Sequence, residues 1–437
     1  MYSPSLEKLL KKSGISLGDC IRTESPKGTF EGILMPRAYE SDILVLKLDN
    51  GYNIGISSKN AEISRLKKAE TRSKTQDNES DTSGGNVAIL GCGGTIASKI
   101  EYKTGAVFPA ISPEEMKAAF PGLDSIASIH TKKLFSLLSE DMNSEHWSIL
   151  GKAILDEIKK DVEGVVLMHG TDTMHYSAAA AGFMLQELPV PIIFVGAQRS
   201  SDRPSSDNEL NLLNAVYTAR QDFAEVGLCM HANTNDDFCH VHRGVKVRKL
   251  HTSRRDAFRS VNISPLAKVN YSRNEFTALS EFRKREKRTI KTDFKFNDNV
   301  AMLYVHPNIQ PKLISKFSSF DGVVLLGTGL GHVPTNPFGD KHAKPVINEI
   351  KSLVDSDIPV VMAPQTIYGR LNMNVYTAGR LLLEAGVIGD GCDWTPETAF
   401  VKLSWVLGHT KNMNKVKEEM LTNMVGEISE RSFTGVD

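Results

Sequence analysis

The stretch Val165-Val166-Leu167-Met168-His169-Gly170-Thr171-Asp172-Thr173-Met174 runs without a break from apolar residues into a polar cluster. A strand with one wet face alternates apolar and polar residues, whereas a strand of a parallel sheet, covered on both faces, reads as a continuous apolar run. Gly164–Met168 is of the second kind. The polar residues after it fall where a helix would begin, and Thr and Asp are favoured there because their oxygens accept free backbone N–H groups. One capping residue would meet that need; three in succession after a glycine exceed it.

The same texture extends outward. Val87–Leu90, Pro191–Val195 and Val226–Met230 read as further buried strands, with helical patterns at Ser144–Lys160 and His175–Leu188 between them. A second series follows, with strands at Ala301–Val305, Gly322–Leu326 and Pro359–Met362 and helices at Ala343–Leu353 and Val375–Ala385. Alternating strands and helices predict parallel-sheet α/β structure. We divide it into residues 86–263 and 300–410, joined by 264–299, which is poor in apolar periodicity. Residues 411–437 form a tail with a helical pattern at Val416–Leu421.

Ahead of residue 86 the pattern differs. Asp42–Leu48 is rich in β-formers, Asn50-Gly51 suits a type I′ turn, and Tyr52–Ile56 alternates, so residues 1–66 are expected to hold a small all-β, barrel-like module. Residues 67–85 contain almost no apolar side chains and read as a flexible linker. The chain's 437 residues exceed what one core organises, about 250–300 residues, which agrees with several domains.

Lys plus Arg and Asp plus Glu number 52 each, so any contact with nucleic acid rests on local patches. The basic run Arg283–Arg288 is diluted by Glu286 and reads first as a solvated segment. The five cysteines are scattered and odd in number, which argues against a disulfide framework. No segment approaches the roughly 18 apolar residues of a membrane span and no signal sequence is visible, so a cytoplasmic protein without membrane contact is expected.

The second polar motif is Gly91-Cys92-Gly93-Gly94-Thr95. Its glycines permit a tight turn that leaves amides open beside Thr95, able to hold an oxyanion or a phosphate. It lacks the spacing of either nucleotide-loop pattern. On its own the motif leaves a nucleotide site, a structural turn and a hydrolase site all open.

Together, Gly93-Gly94-Thr95-Ile96-Ala97 and His169-Gly170-Thr171-Asp172-Thr173 resemble the type I/II asparaginase family. Ser139–Asn143, Gly196–Arg199, Asn211–Ala215 and Val247-Arg248-Lys249 ahead of Ala257-Phe258 extend the resemblance from about Asn86 to Leu407. It implies a two-domain asparaginase-like fold and hydrolysis of a side-chain amide through an acyl-enzyme. By the same resemblance Thr95 is the nucleophile, and Thr171, Asp172 and Lys249 form the second half of the centre. Lys249 would ease deprotonation of Thr171 while Asp172 balances the lysine and the substrate's ammonium group. Lys246, one turn away, is the alternative lysine, and which threonine attacks first stays open.

Tyr102 matches the family's lid tyrosine, though its plain reading is an exposed loop aromatic. Ser139 matches the residue that binds the substrate α-carboxylate. Glu140 stands where glutamine is common, which bears on specificity. The family needs no metal, and Cys229-Met230-His231 and Cys239-His240-Val241-His242 lack zinc-finger spacing.

The N-terminal module is foreign to plain asparaginases. With the linker it makes the chain resemble the D-type subunits of archaeal glutamyl-tRNA(Gln) amidotransferases. That resemblance implies a glutaminase working with an E-type, tRNA-amidating partner, which would bind ATP, magnesium and most of the Glu-tRNA(Gln), in a heterotetramer built on a homodimer of this chain. The present chain would bind no cofactor. Glutamine or asparagine would be the small-molecule substrate. A free-standing asparaginase or glutaminase with an accessory domain is the alternative, and a non-catalytic binding module a third.

Overall fold

The computed structural model describes residues 2–26, 28–35, 41–48, 53–59, 61–68, 87–94, 98–100, 107–109, 122–199 and 206–431. Helix α1 (Pro4–Lys12) precedes five strands, β1 (Cys20–Ser25), β2 (Gly28–Leu34), β3 (Ile43–Lys47), β4 (Asn53–Ser57) and β5 (Glu62–Lys67). They form one antiparallel sheet in the order β4-β3-β2-β1-β5, in which β5 returns to pair with the first strand. Ile21, Leu34, Leu44 and Leu46 are fully buried, packed with Leu6 and Leu10 of α1. The module is therefore not all-β: Ser3 caps α1 by accepting from the Leu6 N–H, and Pro4 follows at the first helical position. The Asn50-Gly51 turn lies outside the described residues, as does the expected linker from residue 69 on.

The central body is an eight-stranded mixed sheet. Its elements are β6 (Val87–Gly93), β7 (Ile129–Leu137), α2 (Ser144–Ile158), β8 (Gly164–Met168), α3 (Met174–Met184), β9 (Ile192–Val195), α4 (Asn208–Thr218), β10 (Val226–His231) and β11 (Cys239–Arg243). A separate two-stranded ribbon follows, β12 (Val247–Lys249) with β13 (Phe258–Ser260). Then come β14 (Ala267–Asn270) and β15 (Glu275–Ala278), which complete the large sheet in the order β15-β14-β11-β10-β9-β8-β6-β7. Strands β7, β6, β8, β9 and β10 run parallel, and β11, β14 and β15 are added antiparallel. The stretch 264–299, expected as a mere connection, thus supplies two strands of the large sheet, and its Lys291–Thr292 pairs antiparallel with Leu185–Gln186. The outward residues of β14 and β15 include Lys268 and Glu275, which pair across them, and Thr277, so the apolar signal of a buried strand is missing.

The last region has a three-stranded parallel sheet of β16 (Val300–Tyr304), β17 (Gly322–Gly327) and β18 (Val360–Pro364), with α5 (Ile347–Asp355) before β18. Helices α6 (Thr377–Glu384), α7 (Pro396–Leu407) and α8 (Met413–Leu421) follow. Helix α7 is buried along nearly its whole length and packs on both β17 and α3, so one apolar cluster runs through both α/β regions. Among the described residues no helix is long and apolar enough to cross a membrane, and all five cysteines are free thiols.

Candidate active site

Four chain segments meet at the carboxyl ends of β6 and β8. Gly94 has φ +82°, and a Cβ there would lie 2.3 Å from the Gly170 Cα. A Cβ on Gly170 would stand 2.7 Å from that of Ser139. Backbone therefore lies on backbone, and side chains on these glycines would force the segments apart. The Gly196 segment closes the other side, so that a Cβ there would meet Thr171 Cγ2 at 2.7 Å.

Within this knot Thr173 Oγ1 donates to the Ser139 carbonyl at 2.5 Å, and the His169 N–H donates to the Val195 carbonyl at 2.9 Å. Thr171 is buried, whereas the Asp172 side chain is largely exposed. Lys249 arrives from β12, 78 residues further on. Its Nζ donates to Thr171 Oγ1 at 2.9 Å and to Asp172 Oδ1 at 2.6 Å. A buried hydroxyl, an ammonium and a carboxylate are thus joined by charge-assisted hydrogen bonds, an arrangement that can stabilise a threonine alkoxide.

Thr95 and Tyr102 lie outside the described residues. Gly93 and Gly94, immediately before Thr95, are described, and so are Ser98–Ile100 and Val107–Pro109, which pair antiparallel on either side of the Tyr102 region. Ser139 opens a short 3₁₀ turn and is buried; Glu140 beside it is exposed. Asn143 then starts α2, its side chain accepting from the Glu145 and His146 N–H groups.

Lys246 does not join the threonine cluster. It is fully buried, with Nζ 2.8 Å from Asp393 Oδ1 and 3.0 Å from the Asp393 carbonyl. Two of the three histidines in the Cys/His segments are held in local hydrogen bonds: His231 Nδ1 with Asn211 Oδ1 at 2.6 Å, and His242 Nδ1 with Ser260 Oγ at 2.8 Å. Among the described residues no group of three or more His, Cys, Asp or Glu side chains converges as a metal-binding set. Within the basic run Arg285 donates to the Gln221 and Ala219 carbonyls and Arg288 to the Leu188 carbonyl, whereas Arg283, Lys284, Glu286 and Lys287 are exposed.

Two features give no signal in the sequence. Burial drives His169 down to about 4 and His175 to about 3, with the nearby charges of Arg248 and Lys249 adding to the effect on His175, so both imidazoles are neutral beside the site. Arg248, the neighbour of Lys249, bonds through Nε to Glu397 Oε1 of α7 at 3.0 Å, and His175 Nε2 lies 4.0 Å from the same oxygen. A lone His in an apolar helix and a Glu after a proline say nothing about each other across so long a separation in the chain.

Comparison with known proteins matches all three parts. A family model described as Asparaginase, N-terminal covers residues 86–281, one described as Glutaminase/Asparaginase C-terminal domain covers 299–420, and one described as GatD N-terminal domain covers 15–66. The D subunit of the Pyrococcus furiosus glutamyl-tRNA(Gln) amidotransferase is 46% identical over 438 residues, with 97% of each chain covered. Its counterpart of the same name in Methanobrevibacter smithii is 42% identical, covering 99% of this chain and 98% of that one. Among solved structures, the thermostable L-asparaginase from Thermococcus kodakarensis superposes with a TM-score of 0.69 at 28% identity, over 79% of this chain and 99% of that one. L-asparaginase I from Vibrio cholerae gives 0.68 at 28% identity, over 78% and 98%.

Proposed function

The chain belongs to the GatD family, the D subunits of glutamyl-tRNA(Gln) amidotransferases, and from that premise we propose that it is the glutaminase component of a cytoplasmic, tRNA-dependent amidotransferase. It releases ammonia from glutamine for a partner that activates Glu-tRNA(Gln) with ATP and magnesium and converts it to Gln-tRNA(Gln). The observation that carries the reading is the Lys249 ammonium bonded to both Thr171 and Asp172 at the mouth of the β6 and β8 loops.

In the proposed reaction the Thr95 hydroxyl attacks the side-chain carboxamide carbon, its proton passes to the leaving nitrogen, and the C–N bond breaks to give a threonyl ester and ammonia. The loop amides around Gly93 and Gly94 steady the tetrahedral oxyanion. Water held at Thr171, beside Lys249, then adds to the ester carbonyl, one of its protons passes to the Thr95 oxygen, and the ester C–O bond breaks to release the acid and return the free hydroxyl. The roles of the two threonines exchange if Thr171 attacks first. Ser139 receives the substrate α-carboxylate, Tyr102 closes over the nucleophile, and Glu140 biases the choice between glutamine and asparagine. Two copies of this chain pair within a heterotetramer.

The test measures ammonia release from glutamine and from asparagine by the full chain, alone and with an ATP-dependent tRNA-amidating partner plus Glu-tRNA(Gln). Weak glutamine hydrolysis that rises with partner and tRNA is expected. The asparaginases among the similar structures support a second reading, a free-standing amidohydrolase. Robust asparagine hydrolysis indifferent to partner and tRNA would establish that reading instead. In either case Thr95→Ala is expected to abolish ammonia release with no change in thermal midpoint.

A further inference from the structure

Lys249 reaches Thr171 from a strand three residues long whose sheet, among the described residues, contains one other strand. A two-stranded ribbon is marginally stable by itself. Something else must hold the lysine in place. Side chains alternate along a strand, and around β12 the contacts follow that alternation. Lys249 meets the threonine loop, while Lys246 meets a carboxylate just before α7 and Arg248 one in its first turn.

The carboxylates are Asp393, 2.8 Å from Lys246 Nζ, and Glu397, 3.0 Å from Arg248 Nε, and both are buried. Beside them the Thr398 hydroxyl donates to the Val245 carbonyl at 2.9 Å. Residues 393–398 of the second α/β region thus grip the ribbon at three points. Helix α7 in turn is packed on α3, which begins directly after Thr173, so the grip and the threonine loop share one rigid support. The neutral His175 leaves Arg248 to balance the Glu397 carboxylate.

We propose that Asp393 and Glu397 are positioning residues for the amide-cleaving reaction, which clamp the basic strand from behind so that Lys249 Nζ stays seated on Thr171. The proposal rests on the reading of Lys249 as catalytic. Neither carboxylate touches the threonine cluster; each acts through a neighbour of the lysine. A displacement of about 1 Å in a reacting group can cost up to a hundredfold in rate, so the expected signature is a loss in kcat and not in substrate affinity.

The test compares Glu397→Gln, the double variant Glu397→Gln with Arg248→Met, and Lys249→Met in the full chain, with ammonia release from glutamine and asparagine and thermal midpoints as readouts. Glu397→Gln is expected to lower kcat by about tenfold or more with KM within about twofold. The double variant leaves no unpaired buried charge, so its midpoint is expected to return towards the parent's while kcat stays low. Recovery of both midpoint and kcat in the double variant, or an unchanged kcat in Glu397→Gln, would overturn the proposal and leave the pair a purely structural one. Lys249→Met separates the two levels: full activity in that variant defeats the catalytic reading itself, whereas its loss beside a fully active Glu397→Gln defeats the clamp alone.

Discussion

His169 and His175 flank the Thr171-Asp172-Thr173 segment as neutral rings, and burial is the main cause in both. His240 on β11 behaves alike, lowered to about 4 by burial and then by Arg259 and Lys268. Their ordinary value is 6.5, so between 6.5 and the folded values the unfolded chain binds more protons than the folded one. The stability they contribute is therefore complete above about 6.5 and is lost progressively as pH falls from there, fully by about 4 for His169 and His240 and about 3 for His175. Thermal melts from pH 7.5 to 4 are expected to show a midpoint that declines below about 6.5; a flat profile would contradict the neutral, buried assignment. Gly94 supports a second prediction at this scale. With φ +82° and the Gly170 Cα 2.3 Å from where a Cβ would sit, Gly94→Ala is expected to cost more than about 1 kcal/mol and to part the Thr95 and Thr171 loops. Ammonia release should fall at least about a hundredfold, more than the stability loss accounts for.

At the scale of elements a buried pair joins the tail to α7, beside the apolar contacts of Val416 and Met420. Lys402 of α7 donates to the carbonyls of Met420 and Thr422 and to Glu427 Oε1 at 2.6 Å, and Glu427 in turn accepts from the Met424 and Val425 N–H groups. Both side chains are fully buried. Lys402→Met strands the Glu427 carboxylate in the interior and is expected to cost about 3–5 kcal/mol in denaturant unfolding, with α8 the first element to gain amide exchange. None of this is legible in the sequence, which shows a helical pattern at Val416–Leu421 and no docking site. What it shows well are elements buried on both faces: Gly164–Met168 has the same limits in sequence and structure, and the strands beginning near Val87, Ile192, Val226 and Val360 lie within a few residues of those expected. Half-exposed elements escape it. Helix α1 and strands β14 and β15 mix charge with apolar residues, and in Cys239-His240-Val241-His242 of β11 the metal-like residues mask the alternation. In the site, Thr171, Asp172 and Lys249 could be named from motifs, whereas the choice of Lys249 over Lys246 gains its physical basis from Asp393, 147 residues beyond Lys246.

The whole molecule is divided unevenly between its cores. Among the described residues the N-terminal module forms its apolar cluster from residues 2–63, including Leu6, Ile21 and Leu46, while one cluster spans the two α/β regions from Ala88 to Met420. The asparaginases that superpose on this chain cover only 78–79% of it, and a separate family model accounts for residues 15–66. A self-contained core contributes little to the stability of another, so removal of residues 1–85 is expected to leave the thermal midpoint of the α/β body within a few degrees of its value in the full chain. The threonine cluster draws on residues 139–249 and its supporting carboxylates on 393–397, so free glutamine or asparagine hydrolysis should also persist within about twofold, because no orienting contact is removed. If the module serves the partner, stimulation by the tRNA-amidating partner and Glu-tRNA(Gln) should be the property that disappears. Side-by-side ammonia assays on the full and shortened chains, with and without the partner, decide the matter: equal stimulation of both would free the module of that role, and loss of free hydrolysis in the shortened chain would tie it to the chemistry itself.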